Sequence, residues 1–132
     1  MWSLTCIGMG LYLIGIAHWG RLYTASTFML AGGVLMGISM TRAHWLPAYL
    51  IAYLFSNIPF VLVNGLLTGS FGMKEVVWYN DAENLGLRLQ EISGFSWTQV
   101  NIPLDDFVYS FALLLLNTAI YMYVKYQASS AA

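Results

Sequence analysis

Two adjacent carboxylates, Asp105 and Asp106, follow Pro103 and open an apolar run that stays uncharged as far as Val124. Paired acids suit general acid–base chemistry, with one carboxyl donating a proton while the other accepts one. They can also share a single proton as a coupled pair. A simpler reading is local: acids in the first turn of a helix gain about 0.3–1 kcal/mol from its dipole, and one Asp suffices for that. Further along the run, Asp106, Ser110, Asn117 and Tyr121 recur at spacings of four, seven and four. That spacing places them on one helical face, with Tyr109 at its border. Polar side chains inside a membrane span turn toward the bundle interior or a cavity, so the stripe is expected to face inward. Burial favours the neutral form of a carboxyl, whereas the dipole favours the ionised form. A proton-donating role therefore requires burial to win.

Two more polar groups interrupt the apolar background. Asn64, with Gly65 and Thr68 after it, ends the third apolar run; hydrogen bonding between helices accounts for such a cluster as readily as a site does. The segment Val76-Val-Trp-Tyr-Asn-Asp-Ala-Glu-Asn-Leu-Gly-Leu-Arg88 mixes Trp78 and Tyr79 with Asn80, Glu83 and Arg88. An interfacial segment with both rings at headgroup level explains the aromatics. It does not explain Glu83 and Arg88, which are not spaced as an i,i+4 pair. His18 and His44 lie in separate short turns without a third convergent ligand, so no metal site is expected. The lone Cys6 excludes an internal disulfide and a thiolate metal centre.

The elements that must hold these residues follow from composition. Of 132 residues, 59% are apolar and 8% charged, against roughly a quarter charged in a soluble domain. Five basic against six acidic side chains make no cationic face for nucleic acid. A bilayer span takes about 20 apolar residues, and four fit, leaving one sizeable loop. The expected architecture is a single all-α integral membrane domain over residues 1–132. Its helices are expected near 2–19, 23–40, 45–68 and 103–126, with a structured loop, 70–101, before the last. No basic residue precedes the first run and no small-x-small site follows it, so it reads as a retained helix, lengthened by Trp2 and Trp19. Gly8, Gly10 and Gly15 in the first helix, and Gly32, Gly33 and Gly37 in the second, suit close helix contact. Pro59 is expected to kink the third helix, with Ser56 and Asn57 beside the carbonyl it frees. The loop holds Lys74, Glu75, Asp81, Glu83, Arg88 and Glu91, six of the eleven charged side chains. Loops of that length are functional or folded more often than slack.

Three blocks, Asn64-Gly-Leu-Leu-Thr-Gly69, Val76 to Arg88, and Ile102-Pro-Leu-Asp-Asp-Phe-Val-Tyr109, together resemble the lycopene cyclase domain family across about Tyr49 to Tyr121. The family hallmark is a Pro-x-acid-acid motif at a helix start, and Pro103-Leu-Asp105-Asp106 matches it. The resemblance implies a multi-pass carotenoid cyclase without cofactor or metal. An acid protonates the end of a lycopene-like polyene, a neighbouring double bond closes an ionone ring, and a base removes a proton. It implies Asp105 and Asp106 as the catalytic pair, and Asn64, Trp78, Tyr79, Asn80, Glu83, Arg88 and Tyr109 around the substrate. The family's principal acid aligns with Asp105, while the helical stripe favours Asp106; both assignments stand at this point. The chain resembles a second half, so a homologous membrane subunit or half is expected as partner, alongside the bilayer. Two other classes fit the composition: a small four-helix transporter, and a non-catalytic pigment-binding or assembly subunit. The acids lie at a helix end, whereas coupled transport places its ionisable group within a span.

Overall fold

The computed structural model describes residues 2–93 and 100–130. Its elements are α1 (Trp2–Ala17), α2 (Leu22–Met40), α3 (Leu46–Leu67), a 3₁₀ turn (Ser70–Gly72), the short α4 (Leu89–Ser93) and α5 (Leu104–Ser130). No strand is present among the described residues, so the fold is that of an all-α membrane protein. The helices α2, α3 and α5 are each long and apolar enough to cross a membrane. At 16 residues, α1 is about 24 Å long, short of the ~30 Å hydrocarbon core. The expected four long helices are therefore three, with a shorter apolar fourth. The shortfall arises because α1 stops at Ala17 and His18–Gly20 form a turn, which leaves Trp19 beyond the helix. At the other end of the chain, α5 runs on to Ser130, past the expected end at 126.

The tightest contact joins α1 and α2, which run antiparallel with Thr5 Oγ1 and Ser39 Oγ 2.9 Å apart. A Cβ on Gly32 would stand 2.5 Å from the Gly8 carbonyl and from the Tyr12 nitrogen. A Cβ on Gly15 would stand 2.9 Å from the Ala25 carbonyl. Backbone meets backbone here, and only glycine permits it. A Cβ added to Gly10, Gly33 or Gly37 would meet nothing within 4 Å. These three face away from the crossing, so the expected glycine faces shrink to Gly8, Gly15 and Gly32.

The packing of α3 is different. Only Leu46, Tyr49 and Gly65 are buried along it, and Leu46 and Tyr49 share a core with Leu35 of α2 and Leu115 of α5. Beyond that core, α3 reaches α5 through long side chains. The Tyr49 hydroxyl donates to the Phe111 carbonyl at 2.7 Å, and the Tyr53 hydroxyl to the Phe107 carbonyl at 2.6 Å. Aromatic spacers of this size hold two helices apart and leave clefts beside them. The helix runs unbroken through Pro59. Ser56 and Asn57 both donate to the Tyr53 carbonyl, not to the Phe55 carbonyl that the missing Pro59 N–H frees.

The end of α1, the start of α2, the end of α3 and the start of α5 lie together under the loop. Gly69 turns the chain out of α3 at a φ of 76°, where a Cβ would also collide with Glu75. The Val76 and Val77 amides then donate back to the Leu67 carbonyl. Leu89 N–H donates to Ile102 O, and Leu104 N–H to Leu87 O, clamping the loop onto the entry to α5. Of the stretch from Leu89 to Asn101, residues 94–99 lie outside the described residues.

Gly32→Ala is expected to lower stability by about 1–3 kcal/mol, since the added methyl must push two backbones apart. Gly33→Ala is expected to leave it unchanged or raise it by up to ~1 kcal/mol through helix propensity. Thermal unfolding of the two detergent-solubilised variants compares them directly.

Candidate active site

The entry to α5 is set by Pro103, which fixes its own φ and spares an N–H that a first turn cannot use. Asp105 and Asp106 then fall in that first turn. Being consecutive, they leave the helix about 100° apart and meet different neighbours. Neither carboxylate bonds to an amide of its own helix. Their oxygens go to other segments, so plain capping does not describe them.

Asp105 is fully buried. Its Oδ1 accepts from Thr24 Oγ1 of α2 at 2.6 Å, and its Oδ2 from the Leu85 N–H of the loop at 3.0 Å. The side chain fastens three segments, and it is absent from the lining of the cavity that Asp106 borders.

Asp106 is 5% exposed and gathers three donors. The Tyr23 hydroxyl of α2 donates to Oδ1 at 2.7 Å. Asn64 Nδ2 of α3 donates to Oδ2 at 3.2 Å, and the Tyr79 hydroxyl of the loop donates to the same oxygen. Burial above all, and then the hydrogen bond to Asp106, hold the Tyr79 phenol far above its ordinary value. It is a neutral donor at any physiological pH.

This carboxyl borders a cavity of about 500 Å³, within the roughly 300–1,000 Å³ of small-molecule pockets. Tyr23, Phe60, Tyr79 and Tyr109 form aromatic walls, and Ser110, Leu113 and Leu114 continue the lining one to two turns down α5. The rings of Tyr23 and Tyr109 lie 6.3 Å apart, inclined at 50°. Tyr109 and Leu114 are 43% and 44% exposed, so the cavity opens sideways between helices. Tyr53 and Phe107 contribute instead to a second, wholly apolar cavity of about 440 Å³ with Leu4, Ile7 and Leu35.

Of the residues singled out from the sequence, Asn64, Tyr79, Asp106, Tyr109 and Ser110 come together at the first cavity. The others lie elsewhere. Glu83 caps α2, its Oε2 accepting the Leu22 N–H at 2.9 Å, while its own carbonyl accepts from Thr24 N–H. Beside it the Arg21 guanidinium donates to the Asn84 carbonyl at 2.6 Å. Arg88 pairs with Asp81 within the loop, and Asn80 accepts the Ala82 N–H in a local turn. Trp78 is 82% exposed. The expected inward stripe ends at Ser110. Asn117 is exposed and satisfied by the Leu113 carbonyl of its own helix, and Tyr121 is exposed as well. The cause is the stand-off of α3, which leaves that face of α5 uncovered below the cavity.

Tyr23, Thr24 and Phe60 were not singled out from the sequence. The available signal was a run of hydroxyl residues, Tyr23, Thr24, Ser26 and Thr27, at the start of a largely apolar α2, a position where polar side chains need a partner. Nothing local names that partner, which is more than eighty residues away.

A family model described as lycopene cyclase matches residues 20–124 of this chain. No curated protein and no solved structure matches it.

Asp105→Ala leaves Thr24 Oγ1 and the Leu85 N–H without their acceptor, which predicts a loss of roughly 2–5 kcal/mol from two orphaned groups. Asp105→Asn is expected to lose far less. Its amide oxygen accepts from Leu85 while its NH₂ donates to the Thr24 hydroxyl, which can act either way. Unfolding of both variants in detergent measures the gap.

Proposed function

The chain belongs to the lycopene cyclase family, with a carotenoid-cyclase type of function on an all-helical, membrane-associated frame, and on that premise we propose that it is a subunit closing an ionone ring on the end of a lycopene-like polyene by acid-initiated, redox-neutral cyclisation. On this reading residues 1–132 form one multi-pass domain, with α1 as a short fourth span. A second homologous half completes the active unit, as the family resemblance implies.

The observation that carries the proposal is a single carboxyl, Asp106, at the inner end of an aromatic cavity that opens on the flank of the bundle. A polyene is insoluble in water and reaches an enzyme through the lipid, so a lateral mouth suits it. The cavity takes one end, and the remainder extends out past Tyr109 and Leu114. Protonating an alkene generates a carbocation, which water would capture; a dry site prevents that side reaction. The faces of Tyr23, Phe60 and Tyr109 offer π density to the cation, worth about 2 kcal/mol or more per ring when desolvated.

Asp106 is the proton donor in this account, because it is the carboxyl that meets the cavity. Asn64 and Tyr79 hold it, and Tyr109 forms the mouth. Asp105 positions the start of α5 against α2 and the loop. Glu83 and Arg88 act at one remove, keeping the loop folded so that Tyr79 reaches its place, and Asn80 shapes the turn between Tyr79 and Glu83. Trp78 stands at the loop surface, where an indole suits the headgroup region.

Expression in lycopene-producing cells, together with the second half that restores ring formation, tests the assignment. Asp106→Asn is expected to lower ring formation by at least about a hundredfold, the low end of general-acid contributions, with normal protein abundance in the membrane. Asp105→Asn is expected to retain most of it. Chromatography of the extracted pigments reads both; full activity in Asp106→Asn would remove the acid from the mechanism.

A further inference from the structure

Ring closure as proposed above needs two opposite proton transfers. One places a proton on an alkene carbon at the start, and the other removes one from a ring carbon at the end. Among the described residues lining the cavity, Asp106 is the one carboxyl and no histidine is present. Asp105 is fully buried and is not part of that lining. His18 bonds the Ile14 carbonyl, and His44 meets Tyr126. The other titratable groups on the wall are the phenols Tyr23, Tyr79 and Tyr109.

A phenolic hydroxyl has a property that an amide NH₂ lacks: it donates to a carboxylate and, after rotation, accepts from a carboxylic acid. Asp106 carries one such hydroxyl on each oxygen, Tyr23 on Oδ1 and Tyr79 on Oδ2. Asn64 Nδ2 adds a fixed donor on Oδ2. The carboxyl therefore stays hydrogen-bonded in both protonation states without turning about its own bond.

We infer that Asp106 is both the acid that starts the cyclisation and the base that ends it, with Tyr23 and Tyr79 as positioning residues that set which ring hydrogen it removes. The inference rests on the cyclase reading. In the first step the Asp106 O–H bond breaks and a C–H bond forms at the terminal alkene, leaving a tertiary cation and a carboxylate. The π pair of a neighbouring double bond then forms the ring C–C bond and moves the cation onto a ring carbon. Finally a C–H bond beside that carbon breaks, its electron pair becomes the ring double bond, and the proton returns to Asp106. No electron or proton is gained or lost overall. During the cation's lifetime three donors hold the carboxylate, which suits the charged form.

The ring cation can lose a proton from more than one adjacent carbon. Where the carboxylate is aimed therefore decides where the double bond lies. Tyr23→Phe and Tyr79→Phe keep the ring and remove the aiming hydroxyl. Each is expected to reduce ring formation roughly ten- to a hundredfold, as for the loss of a hydrogen bond to a charged group, and to change the ratio of double-bond isomers several-fold. The wild type and both variants are expressed with the second half in lycopene-producing cells, and nuclear magnetic resonance of the purified pigments gives the ratio. A fall in yield with an unchanged isomer ratio in both variants overturns the inference, since that is what a structural role or a separate base produces. If one variant does not accumulate in the membrane, the other carries the same readout. Rings formed at full rate by Asp106→Asn would instead remove the acid assignment on which the inference rests; no rings from the wild type with its second half would remove the cyclase reading.

Discussion

A carboxyl group at the edge of an apolar bundle must be given hydrogen bonds by the protein, because the membrane offers none. The carboxyl of Asp106 receives three, from α2, α3 and the loop, and it stands itself on α5. Four segments are thereby required to converge on one point, and much of the architecture follows from that requirement. Asp105 works beside it: fully buried, it binds α2 to the loop through Thr24 and the Leu85 amide and so fixes the rotation of α5. With that rotation fixed, Asp106 is the neighbour that meets the cavity. An adjacent pair of acids is thus divided into a fastener and a cavity group by the 100° turn of the helix between them.

The cavity itself comes from an imbalance in packing. On one side α1 and α2 touch backbone to backbone at Gly8, Gly15 and Gly32, which makes a tight, thin pair. On the other side α3 is propped away from α5 by Tyr49 and Tyr53, whose hydroxyls reach main-chain carbonyls of α5. Aromatic props are stiff and carry their own polar anchor; Tyr53 itself lines the second, apolar cavity, while Tyr23, Phe60, Tyr79 and Tyr109 wall the one that Asp106 borders. A long apolar molecule entering from the side would meet aromatic walls first and the carboxyl last. That order suits a reaction in which water must be absent before the proton moves.

Hydropathy made the all-helical membrane class legible, because apolar runs of this length leave few alternatives. It could not say which way each helix faces. The helices α1 and α2 are apolar nearly all round, so Gly10, Gly33 and Gly37 looked equivalent to the three glycines that make the crossing. The stripe on α5 located Asp106 and Ser110 on the cavity side. It overreached at Asn117 and Tyr121, because a face is inward only where a neighbour covers it, and α3 does not cover this one. Glu83 and Arg88 attracted notice as charges in an apolar chain. They cap α2 and pair with Asp81, which are tasks that any folded loop sets. Tyr23 was invisible for the opposite reason: a tyrosine in an apolar helix is unremarkable until the fold brings a carboxyl from the far end of the chain to its hydroxyl.

The account stands on Asp106 being the carboxyl that hands its proton to the substrate at the cavity. Infrared difference spectroscopy of the substrate-loaded assembly reads the carbonyl stretch of a protonated carboxylic acid directly. The account predicts such a band in the wild type, absent from Asp106→Asn and preserved in Asp105→Asn. A band that survives Asp106→Asn and disappears with Asp105→Asn, or no such band at all, would contradict it.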